Sequence, residues 1–312
     1  MTVAVFNAMI RPLLEPRLPG WVEPHWFASG DELMALAPQA EIGWFDSYDF
    51  ALPPRAAAAA TRLRWLNTLG AGVDQFPLAD LAARGVVFTN GAGLNAIPIA
   101  EYVVMGMLTV AKGWRDVVRA QERREWLAAS PGTQELFGTT ALVLGAGGIG
   151  GRVAELLRPW GVSVTTVRRT PRGGDLGMDQ WRARLGEFDW VIVAVPSTAD
   201  TEAMIGAAEL AAMKRSAVLL NFARGAVIDQ PALIEALQAK RIAGAFLDVT
   251  TPEPLPPDHP LWAIDTCHIS MHLSGRAQTA LFPRAVDRFV ANLDRFHRGE
   301  PLESAVDLGL GY

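Results

Sequence analysis

The chain has 312 residues, half of them apolar and 20% charged, and its 28 Lys and Arg against 33 Asp and Glu leave a net charge of −5. That profile suits a folded chain with a sizeable core, in one large domain or two ordinary ones, and excludes a disordered tail or a fibre. There is no cluster of positive charge to hold a phosphate backbone, so nucleic acid is not expected as a partner, and the single Cys267 rules out an internal disulfide framework or a multi-cysteine metal site.

Met1–Ile10 lacks a basic segment before its apolar stretch and a small-residue cleavage pattern after it, and reads as a first strand rather than a signal peptide. Short apolar runs at Val3–Phe6, Ile42–Phe45, Leu66–Leu69 and Val86–Thr89 alternate with helical stretches such as Asp31–Ala37, which predicts a smaller α/β unit. Ala56–Ala60 belongs to an ordinary helix, and no internal repeat is present. Asn95 and Pro98 open a helix that is apolar nearly all round through Val110. The run Ile97–Ala111 contains Glu101 and falls short of the ~20 residues that cross a bilayer, so a buried helix is expected and no membrane partner. Such a helix needs cover on more than one side, from another domain or another subunit, and a homodimer is the expectation.

From Ala141 onward the predicted strands are Ala141–Leu144, Val162–Val167, Trp190–Val195, Ala217–Leu220, Ile242–Leu247 and Cys267–Ser270. Near-continuous apolar strands separated by helices predict a parallel sheet covered on both faces. Between the first two, Val153, Leu156, Leu157 and Trp160 recur at helical spacing, and Pro159 and Gly161 end the helix. Val286, Phe289, Val290, Leu293 and Phe296 mark a last helix over Arg284–Arg298, expected to pack back on the first unit. The expected boundaries are 1–92 with 275–312 for the first domain and 93–274 for the second.

Gly145-Ala146-Gly147-Gly148-Ile149-Gly150 follows a predicted strand and opens a predicted helix. A ligand-free glycine turn is one reading; the strand before and helix after favour dinucleotide binding. In that case Gly145 permits the tight turn, Gly147 lets the backbone approach a pyrophosphate, Gly150 allows close packing, and the amides at the helix start, Gly148 and Ile149 among them, face the anion. An acid for the ribose hydroxyls is expected at the end of the second strand, but Arg168, Arg169 and Arg172 stand there. Guanidinium groups suit a 2′-phosphate, so NADP(H) is expected in preference to NAD(H), which stays possible; the other reading is a solvated basic turn.

Further motifs stand at Asn221 to Asp229, Ala245 to Val249 leading to Glu253-Pro254-Leu255-Pro256, His259-Pro260-Leu261-Trp262 and Ile269-Ser270-Met271-His272. Upstream are Leu69-Gly70-Ala71-Gly72-Val73-Asp74, Ala100-Glu101-Tyr102 and Val195-Pro196 with Thr201. In order and spacing the chain resembles the D-isomer-specific 2-hydroxyacid dehydrogenase family over most of its length. The basic turn, the Trp44 region and the ending from Val306 to Tyr312 resemble its glyoxylate/hydroxypyruvate reductase A subgroup. The resemblance implies an α/β fold of two domains: a Rossmann-type doubly wound parallel sheet, and a smaller, discontinuous flavodoxin-like α/β substrate domain. It also implies a cytoplasmic enzyme that reduces a small 2-oxo acid to the 2-hydroxy acid by hydride transfer.

On that resemblance Arg224 binds and polarises the substrate, His272 is the general acid/base and Glu253 orients its ring. The backbone amides of Ala71, Gly72 and Val73 take the substrate carboxylate, Ala223 and Asp248 take the nicotinamide carboxamide, and Pro196 and Thr201 belong to the cofactor site. Trp44 stands either as a contact to the small substituent of the substrate or as a core residue. Met271 replaces the usual proline before the histidine, and Thr250-Thr251-Pro252 replaces a commoner aromatic-containing sequence. No metal is expected: His25, His259, His268 and His297 have no ligand pattern around them, and Cys267 reads as an inert strand residue. The alternatives are a family member for a different or bulkier 2-oxo acid, and a non-catalytic NAD(P)-sensing protein of the corepressor kind.

Overall fold

A computed structural model describes residues 1–276 and 278–311; Tyr312, the last residue of the family-like ending, lies outside the described residues. Two compact units divide the chain, Met1–Asn95 with Gln278–Tyr312, and Ala96–Ala277. The first begins with β1 (Thr2–Asn7), α1 (Arg11–Leu14), β2 (Val22–Phe27), α2 (Gly30–Leu36), β3 (Ile42–Trp44), α3 (Leu52–Ala59), β4 (Trp65–Asn67), α4 (Leu78–Ala83) and β5 (Val87–Thr89). The second holds α5 (Ala96–Ala111), α6 (Trp114–Arg123), β6 (Thr140–Leu144), α7 (Gly148–Leu157), β7 (Ser163–Val167), β8 (Trp190–Val193), α8 (Ala207–Ala212), β9 (Val218–Asn221), α9 (Gln230–Gln238), β10 (Gly244–Leu247) and β11 (Cys267–Ile269). The chain then returns to the first unit as α10 (Leu281–Arg298).

The first unit is a parallel sheet in the order β2-β1-β3-β4-β5, the flavodoxin-like arrangement. Alternation along the strands builds a core on each face. Ala4, Phe6, Ile42, Trp44 and Trp65 meet Val286, Phe289 and Leu293 of α10 on one side; Val5, Leu66 and Phe88 meet Leu33, Ala37, Ala56 and Leu81 on the other. Phe289 is the hub, its ring 4.8 Å from Trp44, 4.6 Å from Trp65 and 5.5 Å from Phe6. The sequence reading has no strand at β2. Pro24 lies within it, and a proline, lacking an amide hydrogen, is tolerated because β2 is an edge strand.

The second unit is a parallel sheet in the order β11-β10-β9-β8-β6-β7. Leu142, Leu144, Val191, Val193 and Leu219 pack with Leu233 and Leu237 of α9 on one face; Ala141, Val143, Trp190, Ile192 and Leu220 pack with α5 and α7 on the other. Such strands, covered twice, explain their continuous apolar sequence. Trp160, expected on the buried stripe of α7, is 47% exposed, because the helix tightens into a 3-10 turn over Arg158–Trp160 and moves it off the stripe. Among the described residues no single helix is long and apolar enough to cross a membrane.

Candidate active site

In the second unit the chain passes from β6 to α7 through Gly145, Ala146 and Gly147, where the strand order reverses between β6 and β8. Ligands of open parallel sheets bind at such points, beyond the carboxyl ends of the strands. Gly145 has φ +94°, and a Cβ on it would lie 2.5 Å from the Ala194 carbonyl oxygen; one on Gly150 would lie 1.8 Å from that of Gly145. Both positions therefore demand glycine. At Gly147 a Cβ would meet nothing within 4 Å, so open space stands before the helix. The first helical bond runs from Gly151 N to Gly147 O at 2.8 Å, which leaves the amides of Gly148, Ile149 and Gly150 without helical acceptors at that end. These features fit a dinucleotide pyrophosphate.

Arg168 leaves β7 and donates through Nη2 to the Ala146 carbonyl at 2.9 Å, which fastens it to the glycine turn. No acid stands within residues 167–172, but one arrives from further along the chain. Residues 171–176 fold back, Leu176 N bonds to Thr166 O at 2.8 Å, and Asp175 Oδ2 comes 2.6 Å from Arg168 Nε, as an ion pair without hydrogen-bond alignment at that nitrogen. A hydrogen bond from Thr166, then the Arg172 amide and the Arg168 charge, outweigh burial and hold the Asp175 carboxyl below the usual range. Arg169 lies 3.4 Å from Asp200. Pro196 is exposed after β8, but Thr201 is buried: its hydroxyl donates to the Pro196 carbonyl at 2.7 Å and accepts from the Thr198 amide at 2.9 Å. Thr201 thus shapes this loop.

At the end of β9 the Asn221 side chain accepts the Ala223 amide and donates to the Arg224 carbonyl, each at 3.0 Å. Gly225 then packs so closely on Thr250 that a Cβ would fall 2.1 Å from its carbonyl oxygen. Gln230 grips the next residue from the start of α9, accepting the Thr251 amide at 2.9 Å and donating to its carbonyl at 2.5 Å. Neither Asn221 nor Gln230 is given a role in the sequence reading; the available signal is an amide side chain at a strand end and at a helix start. Together they set Arg224 near Glu253. Arg224 Nη1 donates to the Ala223 carbonyl at 2.9 Å, which leaves that oxygen one further lone pair.

Glu253 Oε1 accepts the Thr250 amide at 3.0 Å, and Oε2 lies 2.8 Å from His272 Nδ1. Burial works to raise the Glu253 carboxyl, but the His272 hydrogen bond and charge, the Thr250 amide and the Arg224 charge outweigh it and hold the carboxyl below its ordinary range. With Nδ1 fixed by the carboxylate, Nε2 is left to serve a ligand oxygen.

Met271 and His272 both adopt left-handed backbone, φ +54° and +55°. A proline, locked near −65°, cannot take that conformation, so the replacement at 271 accompanies a different turn. A non-glycine residue there costs roughly 1–2 kcal/mol. Asp248, buried just after β10, holds the turn. Its Oδ1 accepts the Ser270 hydroxyl at 2.7 Å and the Leu273 and Ser274 amides at 3.1 and 3.2 Å, its Oδ2 accepts the Ser274 hydroxyl, and its carbonyl accepts the His272 amide. Three donors thus converge on Oδ1 and one on Oδ2, which keeps a further acceptor site. Asp248 therefore anchors the His272 loop, a role that the sequence reading does not give it beside the nicotinamide contact implied by the family resemblance.

In the first unit the turn Leu69–Val73 follows β4. The amides of Ala71, Gly72 and Val73 meet no protein acceptor among the described residues, and successive free amides form an anion-binding concavity. Trp44 is a core residue, 1% exposed and packed on Phe289, which corrects its reading as a substrate contact; Tyr48 and Phe50 reach solvent from the loop beyond it. The remaining histidines have structural neighbours: Glu23 for His25, the Leu261 amide for His259, the Phe246 ring for His268 and the Trp21 ring for His297. Among the described residues no group of three side chains could hold a metal. Burial pushes the Cys267 thiol up to about 12.

A family model for the NAD binding domain of D-isomer specific 2-hydroxyacid dehydrogenases matches residues 104–274. A glyoxylate reductase/hydroxypyruvate reductase of Mus musculus is 32% identical over 263 residues, 80% of this chain and 79% of that one. A glyoxylate/hydroxypyruvate reductase A of Salmonella heidelberg is 29% identical over 287 residues, 87% of this chain and 90% of that one. The crystal structure of a D-isomer specific 2-hydroxyacid dehydrogenase from Xanthobacter autotrophicus Py2, in complex with NADPH and MES, superposes with a TM-score of 0.81 at 27% identity, covering 100% of this chain and 99% of that one.

Proposed function

The chain belongs to the D-isomer specific 2-hydroxyacid dehydrogenase family and is an NAD(P)-dependent oxidoreductase, and from that premise we propose that it reduces small 2-oxo acids, glyoxylate or hydroxypyruvate foremost, with NADPH. The observation that carries this reading is the Glu253–His272 pair at 2.8 Å with the Arg224 charge acting on it, in the unit that also holds the glycine turn.

The nicotinamide, when bound, supplies a hydride for the carbonyl carbon. Arg224 binds the 2-oxo acid and polarises its carbonyl. His272 gives the Nε2 proton to the oxygen as it becomes an alkoxide, and takes a new proton from solvent afterwards. Glu253 fixes the ring through its contact with Nδ1. The amides of Ala71, Gly72 and Val73 hold the substrate carboxylate. Gly145 and Gly147 to Gly150 receive the pyrophosphate, Pro196 and Ala223 border the nicotinamide, and Arg168 and Arg169 take the 2′-phosphate. The NADPH in the Xanthobacter complex and the arginines after β7 support that preference. The second unit also exposes Met105, Trp114, Trp126 and Phe137, an apolar set that supports a homodimer, checked by sedimentation at micromolar concentration.

The test is oxidation of NADPH and NADH, followed at 340 nm, against glyoxylate, hydroxypyruvate, pyruvate and phenylpyruvate. NADPH with glyoxylate or hydroxypyruvate should give the highest kcat/KM. Absence of turnover over this panel overturns the reading.

A further inference from the structure

We propose that Asp46, which touches none of the reacting groups, is a positioning residue that sets the turn Leu69–Val73 and thereby the affinity for the 2-oxo acid; this rests on the reading of that turn as the carboxylate site. Asp46 lies two residues past β3, at the carboxyl end of the first unit's sheet where the strand order reverses between β1 and β3. Its Oδ1 accepts the Thr68 hydroxyl at 2.7 Å and its Oδ2 the Leu69 amide at 2.9 Å, while its carbonyl accepts Asn7 Nδ2 at 2.9 Å. One residue thus ties the loop after β4 to the end of β1. The Thr68 oxygen passes the constraint on by accepting the Gly70 amide at 3.3 Å.

From the β5 side, Asn90 Nδ2 donates to the Ala71 carbonyl at 2.6 Å and the Gly91 amide to the Gly70 carbonyl at 2.8 Å. A Cβ on Gly91 would lie 1.9 Å from the Leu69 carbonyl oxygen, so that side cannot give way. Carbonyls 70 and 71 are drawn one way and amides 69 and 70 the other, which frees the amides of Ala71, Gly72 and Val73. Among these braces Asp46 alone is ionisable. Burial pushes its carboxyl above the ordinary aspartate range, against the hydrogen bonds from Thr68, Leu69 and Trp44, and no cation pairs with it among the described residues. Keeping an acid in such a place is costly, and the cost makes sense where it fixes a binding geometry.

The test uses the full chain and its Asp46→Ala, Asp46→Asn and Thr68→Val variants. It measures kcat and KM for glyoxylate at saturating NADPH, the NADPH Kd by fluorescence, and amide exchange of residues 68–73. Asp46→Ala should raise KM about tenfold, the loss of hydrogen bonds to a charged group, and speed exchange in the turn, with kcat and NADPH Kd little changed. Asp46→Asn, whose amide can accept from Leu69 and donate to Thr68, should restore KM to within about threefold of wild type. Unchanged KM and unchanged exchange in folded Asp46→Ala overturn the proposal, as does a fall in kcat alone. Should Asp46→Ala not fold, Thr68→Val decides: a raised KM supports the brace and an unaltered one removes it. If the wild-type chain turns over no 2-oxo acid, the functional reading fails by itself, and the exchange of residues 68–73 still decides whether Asp46 holds the turn.

Discussion

His272 can deliver a proton in one direction only because Glu253 occupies its Nδ1 at 2.8 Å. His272→Ala should therefore lower kcat by about 10²–10⁴-fold, the usual worth of a positioned acid, while NADPH affinity measured by fluorescence stays within about twofold. Two of the perturbed carboxyls, Glu253 and Asp46, should respond to pH with opposite sign. Glu253 is held below its ordinary range when folded, so between its folded and unfolded values the unfolded chain binds the extra proton. Its contribution is complete above the ordinary glutamate value and is lost as pH falls through the depressed one. Thermal melts of wild type and Glu253→Gln should then converge as the solution is acidified. For Asp46 the folded value is raised, the folded chain binds the extra proton, and the penalty appears as pH rises through the aspartate range. Asp46→Asn should accordingly gain on wild type in melting temperature from acid to neutral pH; a gap that is flat with pH would place the Asp46 carboxyl in water.

At the scale of elements, the glycine turn separates two roles that one motif compresses. A methyl group on Gly150 would collide with the Gly145 carbonyl at 1.8 Å, whereas one on Gly147 would enter open space. Gly150→Ala should lower the melting temperature and weaken NADPH together. Gly147→Ala should melt as wild type does and still lose about tenfold or more in NADPH affinity, because the methyl takes room that the backbone leaves for the ligand; unaltered NADPH binding in Gly147→Ala would move the pyrophosphate elsewhere. This turn was legible because its spacing, strand and helix lie within a dozen residues. β6, β8 and β9 were legible too, since burial on both faces writes continuous apolar runs. β2 was not, because an edge strand keeps Pro24 and half-polar neighbours. What the motif reading could not show was partnership across the fold. Asp175 reaches Arg168 only because residues 171–176 turn back, Asp248 is engaged by a loop more than twenty residues on, and Trp44 is claimed by Phe289 of the last helix.

At the scale of the whole molecule, each unit carries its own pair of cores, one on either face of its own sheet. The glycine turn, the arginines after β7 and the Glu253–His272 pair all belong to the second unit, while the turn that Asp46 holds belongs to the first. A ligand that binds only the folded state adds RT ln(1 + [L]/Kd) to its stability, roughly 2.7 kcal/mol at a hundredfold excess over Kd. If the cofactor is gripped by residues 145–150 and 168–169, amide exchange with NADPH should slow most in peptides covering β6, the start of α7 and the turn after β7. Exchange of residues 68–73 should respond instead to a substrate analogue with a carboxylate, added to the NADPH complex. The two responses are separable because the anions they report, a pyrophosphate and a carboxylate, are met by amides on different sheets. Slowing by NADPH alone that was equal over β1 to β5 and over β6 to β9 would mean that the dinucleotide is not held by the second unit's turn, and the cofactor assignment would fall with it.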